Sequence, residues 1–458
     1  MPPFAASILF YVFVFWALRR MERGEERLGL DVWIPTAWII LIGTKSLAYW
    51  IAGPALQQAL FVEDTGPPYD AIAFFGLIFL GLIALSRKPV DWRTLFAENP
   101  ILVAFYAYLF ISVFWSDYPF VAFKRYVKEV GNLVMILVML VQPNSVASIR
   151  RGFLRCTMIF IPISILLIKY YGEIGRYYNP WTGEVGLCGA TTSKNELGRL
   201  AMWSFMFLVW HLQACPRHKS IGRWLWANCH YLFVAGMCVW LLLKANSATS
   251  LGCFLAGLLL FLALRGRGKI LVPKLMIAGV AGFLVLSLLF FTVPEIRGEI
   301  ATHFGRHSDL TERTDVWAGC LNAGTNPIIG EGFFSFWMTA RGFQLGEVLR
   351  VTEAHNGYLE TYLNTGIIGV ALLIGVILHA ARNVKRLVIA GSPLGVLFTV
   401  MLWIALIYNN TEAAYNDNNI IGFIFLLVAI RRSSNESPSI HITSESEQFS
   451  TAASYDPA

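Results

Sequence analysis

Apolar runs follow one another along almost the whole chain, and that succession leaves few ways to fold. They lie at about residues 4–18, 32–51, 70–86, 100–115, 130–142, 156–170, 197–214, 229–244, 249–264, 271–292, 367–381, 394–408 and 419–430. With 56% hydrophobic and 14% charged residues, a 458-residue chain has too little polar surface to enclose a soluble core. In lipid every backbone polar group must be satisfied internally, which selects helices. The expected fold class is therefore all-α: a polytopic helical membrane protein with about 12 to 13 transmembrane helices, the lower number applying if the short first run only lies in the interface. That first run precedes its arginines instead of following them, so it does not read as a cleavable signal.

Basic residues recur after alternate runs: Arg19, Arg20, Arg23 and Arg27, then Arg87, Lys88 and Arg93, then Arg150, Arg151 and Arg155. The series continues with Arg217, Lys219 and Arg223, with Arg265, Arg267 and Lys269, with Arg382, Lys385 and Arg386, and with Arg431 and Arg432. The positive-inside rule makes these segments cytoplasmic and places the one long hydrophilic stretch, residues 293–366, on the opposite face. The membrane region is expected to span residues 1–432, and the Ser- and Glu-rich tail, 433–458, reads as disordered. The net charge of +7 is dispersed between apolar runs, which argues against nucleic acid and for a lipid bilayer and anionic lipid-linked partners. Seven cysteines show no metal-ligand spacing. Only Cys188 and Cys320 lie in hydrophilic segments that share a side, and two free thiols are the plainer reading. No internal repeat of the transporter kind is evident.

Cations on the face where the positive-inside rule disfavours them are the first functional signal. The turn WSDYPFVAFKRYVKE carries Lys124, Arg125 and Lys128, and the next such segment carries Arg176, Lys194 and Arg199. The long loop adds Arg297, Arg306, Arg313, Arg341 and Arg350. Guanidinium forks match phosphate oxygens bidentately, so a diphosphate is a natural ligand; ordinary surface ion pairs are the bland alternative. In SKNELGRL, Ser193 or Asn195 is placed to cap the helix that follows and to leave backbone donors beside Lys194.

Inside the loop, Asp309 and Glu312 have capping-box spacing, and Val316, Trp317, Cys320 and Leu321 recur at helical spacing before Gly324 and Pro327. This predicts a short amphipathic helix with Arg313 in its first turn and Asp315 beside it. NGYLETYLNTG predicts a second helix that stops at Gly366. His355 and Asn356 stand at its start, where the helix N-terminus would keep the imidazole neutral and able to accept a proton. Glu353, Asp315 and Glu360 are the fallback bases. His303 and His307 lack a third ligand at zinc spacing, so no metal is expected.

LTERTDVWAGCLNAGTNPIIGEGFFSFW followed by EAHNGYLETYLNTGIIG resembles the O-antigen ligase and polymerase superfamily, and within it the exopolysaccharide polymerases of the ExoQ type. FWSDYPFVAFKRYVKE, CGATTSKNELGRLA and LLLKANSATSLG resemble the segments that precede that region, in the same order, so the likeness runs over about residues 110–430. In the family, the stretch before SKN usually ends in His-Lys-Asn, which differs from CGATTSKN here.

The resemblance implies a GT-C-like glycosyltransferase of the bacterial inner membrane, with its active site facing the periplasm and with no cofactor or metal. It would move a glycan from undecaprenyl diphosphate to a sugar hydroxyl with inversion. It also implies His355 as base, Arg313 as the loop arginine, and Lys124 or Arg125 with Lys194 and Arg199 near the diphosphate; Arg176, Asn195, Glu353, Asn356 and Asp315 complete the candidate set. A polymerase of repeat units is the leading expectation, working beside assembly proteins such as a flippase and a chain-length regulator. A ligase acting on lipid A core or protein, a lipid-linked-sugar flippase and a structural scaffold are the alternatives.

Overall fold

The computed structural model describes residues 1–23, 28–51, 53, 68–178, 183, 185–215, 220–266, 268–292, 307–415 and 419–432. Arg27, Arg217, Lys219, Arg267, Arg297, His303, Arg306 and the tail expectation for 433–458 lie outside the described residues. The described residues are mostly helical. In order, the helices are α1 (Pro3–Glu22), α2 (Trp33–Gly43), α3 (Pro68–Ser86), α4 (Trp92–Glu98), α5 (Pro100–Ser112), α6 (Pro119–Leu140) and α7 (Ser145–Tyr170). They continue with α8 (Lys194–Ala214), α9 (Ile221–Ala245), α10 (Ala248–Leu264), α11 (Gly268–Thr292), α12 (His307–Leu321), α13 (Ala340–Leu349), α14 (Gly357–Ile389), α15 (Leu394–Tyr408) and α16 (Ile420–Ala429). A two-stranded antiparallel hairpin, β1 (Arg176–Tyr178) and β2 (Val185–Leu187), pairs Arg176 with Leu187.

Each apolar run of the sequence overlaps one of these helices. Among the described residues, six helices are long and apolar enough to cross a membrane, or up to seven if the bent pair α4 and α5 forms one span; four further apolar helices are shorter. This is the architecture of an all-α membrane protein.

Several expected boundaries move, and two of them bear on the site. Pro119 at the first helical position starts α6 well before the apolar run at 130, since proline there loses no intrahelical bond. Lys124, Arg125 and Lys128 consequently stand on a helix instead of in a turn. α2 ends at Thr44, where the backbone becomes extended. Beyond it, the buried Lys45 Nζ donates to the carbonyls of Ile174 (2.9 Å), Gly189 (3.0 Å) and Thr191 (2.6 Å). One ammonium thereby satisfies loop carbonyls that would otherwise be buried without donors.

The bundle is held by close packing of aromatic side chains. Phe153 on α7 stacks on Phe207 of α8 at 4.1 Å between centroids, and Trp203 packs edge-on against both. α6 approaches α2 so closely that a Cβ on Gly131 would lie 2.3 Å from the Trp38 ring. Trp38 Nε1 donates to Asn132 Oδ1 at 2.8 Å, and the Asn132 amide donates to Glu129, so the buried polar groups there are hydrogen-bonded. The seven cysteines are all free thiols, Cys188 and Cys320 included.

α14 is two helices in one. Gly366 sits at φ 63°, ψ −166°, and a Cβ there would meet the Ile328 backbone at 2.2 Å. The residues before Gly366 belong to the polar loop region and those after it form an apolar helix, as the sequence indicates.

Candidate functional site

A second, smaller core supports the site. Val316, Trp317 and Cys320 of α12 bury against Phe336, Ala354, Leu359 and Leu363, while Leu321, expected on the same face, is exposed. α12 begins at His307, so Arg313 falls in its second turn and not its first, away from the positive end of the helix dipole. Trp317 Nε1 donates to the Ala354 carbonyl at 2.9 Å, and the Ala354 amide donates to Glu360 Oε1 at 2.6 Å. Trp337 Nε1 reaches the same Glu360 oxygen at 2.7 Å. The Asn356 side chain caps α14, accepting from Tyr358 N (2.9 Å) and Leu359 N (3.0 Å). His355 is therefore fixed on both sides, and it adopts φ 49°, a left-handed conformation that costs a non-glycine residue about 1–2 kcal/mol.

The third wall comes from the connector after α15. Asn409, fully buried, accepts the Gly357 amide on its carbonyl at 2.9 Å and the Ala414 amide on its side chain at 2.8 Å. A Cβ on Gly357 would lie 2.0 Å from Asn409 Oδ1, so this contact needs glycine. It brings Glu412 against His355.

Glu412 is the point of convergence. Its Oε1 accepts from Arg313 Nη2 at 3.0 Å and from Asn195 Nδ2 at 2.9 Å, and its Oε2 lies 3.5 Å from His355 Nδ1. Glu353 Oε1 approaches the same Nδ1 at 2.8 Å. Arg199, buried on α8 with its guanidinium near the Tyr408 ring, adds its charge from below and is itself 3.3 Å from Glu196. Burial alone would protonate Glu412, yet His355, Arg313 and Arg199 hold its pKa below the usual value, so it is a carboxylate.

The state of His355 differs from the sequence expectation. Burial disfavours the imidazolium, but the hydrogen bonding and charge of Glu353 and Glu412 outweigh it and push the pKa up to about 10. The nearby helix N-terminus does not prevail, because two carboxylates act at contact distance and the dipole is a partial charge. Glu353, His355 and Glu412 also offer ligand atoms within 4.8 Å of one another. A divalent cation held there would take the place of the Nδ1 proton.

Of the residues singled out from sequence, the structure gathers Asn195, Arg199, Arg313, Glu353 and His355, with Asn356 as the cap that orients them. Ser193 caps α8, accepting from Glu196 N at 3.3 Å, and places Lys194 at the first helical position next to Asn195. Arg125 is engaged elsewhere: its Nη1 donates to the Phe334 carbonyl at 2.8 Å and its guanidinium covers the Phe334 ring. Lys124 lies over Phe120. Arg176 is exposed on β1 and donates to the Ile168 carbonyl at 3.2 Å. Asp315 is exposed on α12. Glu360 anchors the loop from within. Sequence reasoning missed Glu412. The available signal was an acidic residue in the short connector between two strongly apolar runs, on the face already assigned to the cations.

The fold and this cluster define a mainly helical membrane protein with a group of charged side chains gathered at helix ends. Residues 232–374 match the family model described as O-antigen ligase, a segment that contains Arg313 and His355. The exopolysaccharide production protein ExoQ of Rhizobium meliloti (strain 1021) is 27% identical over 357 residues, covering 73% of this chain and 76% of the relative. These matches bear out the resemblance to the O-antigen ligase and polymerase superfamily. No solved structure matches the chain.

Proposed function

We propose that this protein is an inverting, GT-C-like glycosyltransferase that moves an oligosaccharide from undecaprenyl diphosphate to a sugar hydroxyl and so polymerises exopolysaccharide repeats. One observation carries the reading: the Arg313 guanidinium, the His355 imidazole and the Asn195 amide, from three separate segments, converge on one carboxylate. Donors for an anion and a group able to exchange a proton are thereby side by side.

In the transfer, the acceptor oxygen attacks the anomeric carbon and the bond to the diphosphate oxygen breaks. Arg313, Arg199 and Lys194 receive the charge that develops on the leaving diphosphate. His355, in its neutral form and with Nδ1 turned to Glu353 and Glu412, accepts the hydroxyl proton on Nε2. Arg125 serves differently from the sequence expectation, positioning the loop through Phe334. The positive-inside pattern supports a site on the periplasmic face of the inner membrane. A flippase and a chain-length regulator remain the proposed assembly partners.

The ExoQ likeness favours polymerisation, and the O-antigen ligase family match favours a second reading, transfer of a finished glycan to lipid A core or protein. Gel analysis of polysaccharide from a deletion strain separates them. Polymerase loss leaves single repeats; ligase loss leaves chains of normal length that are unattached, and that outcome would overturn the first reading. A flippase needs no base, so full activity of His355→Ala would favour transport instead.

A further inference from the structure

Glu412 occupies the place in this cluster where an anionic ligand gains most. Its Oε1 takes one donor from Arg313 and one from Asn195, and it is almost wholly buried while Arg313 remains partly exposed. A carboxylate and a phosphate oxygen ask the same thing of a guanidinium and an amide: two acceptor lone pairs at hydrogen-bond distance. Resting on the glycosyltransferase reading, we propose that Glu412 is a resident stand-in for the donor's diphosphate. It keeps Arg313 and Asn195 preorganised in the empty site and yields them to a phosphate oxygen when the lipid-linked donor binds.

Charge balance supports an exchange. In the resting cluster Glu353 and Glu412 face the imidazolium of His355 and the guanidinium of Arg313, with Arg199 beyond, so the charges nearly cancel. Without Glu412 the two partly buried cations would lack the carboxylate they share, a costly arrangement. Entry of a diphosphate supplies fresh negative charge to Arg313 and Arg199 and makes the Glu412 contact dispensable to them. Glu412 then has one charged partner left at contact distance, His355, and its whole influence falls on the imidazole. Donor binding thus strengthens the hold on His355 Nδ1 while the acceptor is still to arrive. Glu412 is in this account a positioning residue, acting through Arg313, Asn195 and His355.

The test uses the full-length protein in detergent micelles, with a polyprenyl diphosphate that lacks sugar as the binding probe and lipid-diphosphate oligosaccharide for turnover. Glu412→Gln removes the competing charge, so it is expected to bind the probe about threefold or more tightly than wild type. Its plateau turnover at high pH is expected to fall. The rising limb of its pH–rate profile should move to lower pH, because His355 keeps only Glu353. Glu412→Asp, which keeps the charge but withdraws it from Arg313, should bind the probe with intermediate affinity, and it decides the matter if the glutamine variant does not fold. Weaker or unchanged probe binding in the folded variants overturns the stand-in role, and an unmoved pH profile overturns the link to His355. Failure of wild type to bind the probe at all counts against the glycosyltransferase reading itself, a separate result.

Discussion

The helical bundle and the loop core that carries Arg313 and His355 solve different problems with the same residue types. In the bundle, Phe153, Trp203 and Phe207 fill space against one another, and no single hydrogen bond decides their positions. In the loop core, Trp317, Trp337 and Asn356 pack as well, but each also delivers a polar contact that fixes the segment around His355: Trp317 to the Ala354 carbonyl, Trp337 to Glu360, and Asn356 to the start of α14. Loss of a bundle side chain should therefore be felt as stability. Loss of a loop-core contact should be felt as activity, because it moves a few reacting groups and leaves most of the packing intact.

The largest expected effect on chemistry is at His355. His355→Ala should lower glycan transfer by about 10²- to 10⁴-fold with unchanged membrane yield and unchanged elution on size exclusion. A drop in yield that accounts for the whole loss would dissolve the distinction between the two regions. Next is Arg313→Lys, which keeps the charge and loses the fork that reaches Glu412; about a 10- to 100-fold loss of transfer is expected by kinetic assay, with no change in thermal midpoint. Phe207→Ala provides the converse. Opening a cavity beside Phe153 should cost about 3–5 kcal/mol of stability by denaturation in micelles, while the fraction that stays folded turns over at close to the normal rate.

The smallest effect sharpens the comparison most. Trp317→Phe keeps one aromatic ring but loses the donor to Ala354 and the volume of the second ring, so it should cost about 1–3 kcal/mol of stability and reduce turnover several-fold with little change in donor affinity. If instead it behaves like Phe207→Ala, the loop core is merely another piece of packing.

Much of this division was legible in the sequence. The apolar runs name the helices because lipid allows little else, and the stop at Gly366 follows from a glycine between a polar helix and an apolar one. Arg313 and Arg199 could be picked out because charge on the disfavoured face of a membrane protein is conspicuous, and Asn195 and His355 because they stand at the starts of expected helices. The start of α6 was not legible, since Lys124, Arg125 and Lys128 dilute the apolar period that marks a span. Nor was the role of Arg125, whose partner Phe334 lies 209 residues away along the chain. Glu412 is the telling omission. One acid in a short connector carries no local pattern, and its importance arises from Asn409 accepting the Gly357 amide, a tertiary contact that sets the connector beside His355. The same contact accounts in part for the misjudged state of His355: the helix N-terminus and Glu353, both close in sequence, were visible, and Glu412, close only in space, was not.

The pH dependence of the purified wild-type protein tests the central claim most directly, with lipid-diphosphate oligosaccharide as donor and glycan transfer as readout. His355 acts as a base only when neutral, and Glu353 and Glu412 raise its pKa to about 10. Its neutral fraction therefore grows about tenfold with each unit of pH below that value. The account predicts a transfer rate that climbs from pH 6 and levels off near 10. A rate that is flat or falls over that range, or no transfer at any pH, would contradict it.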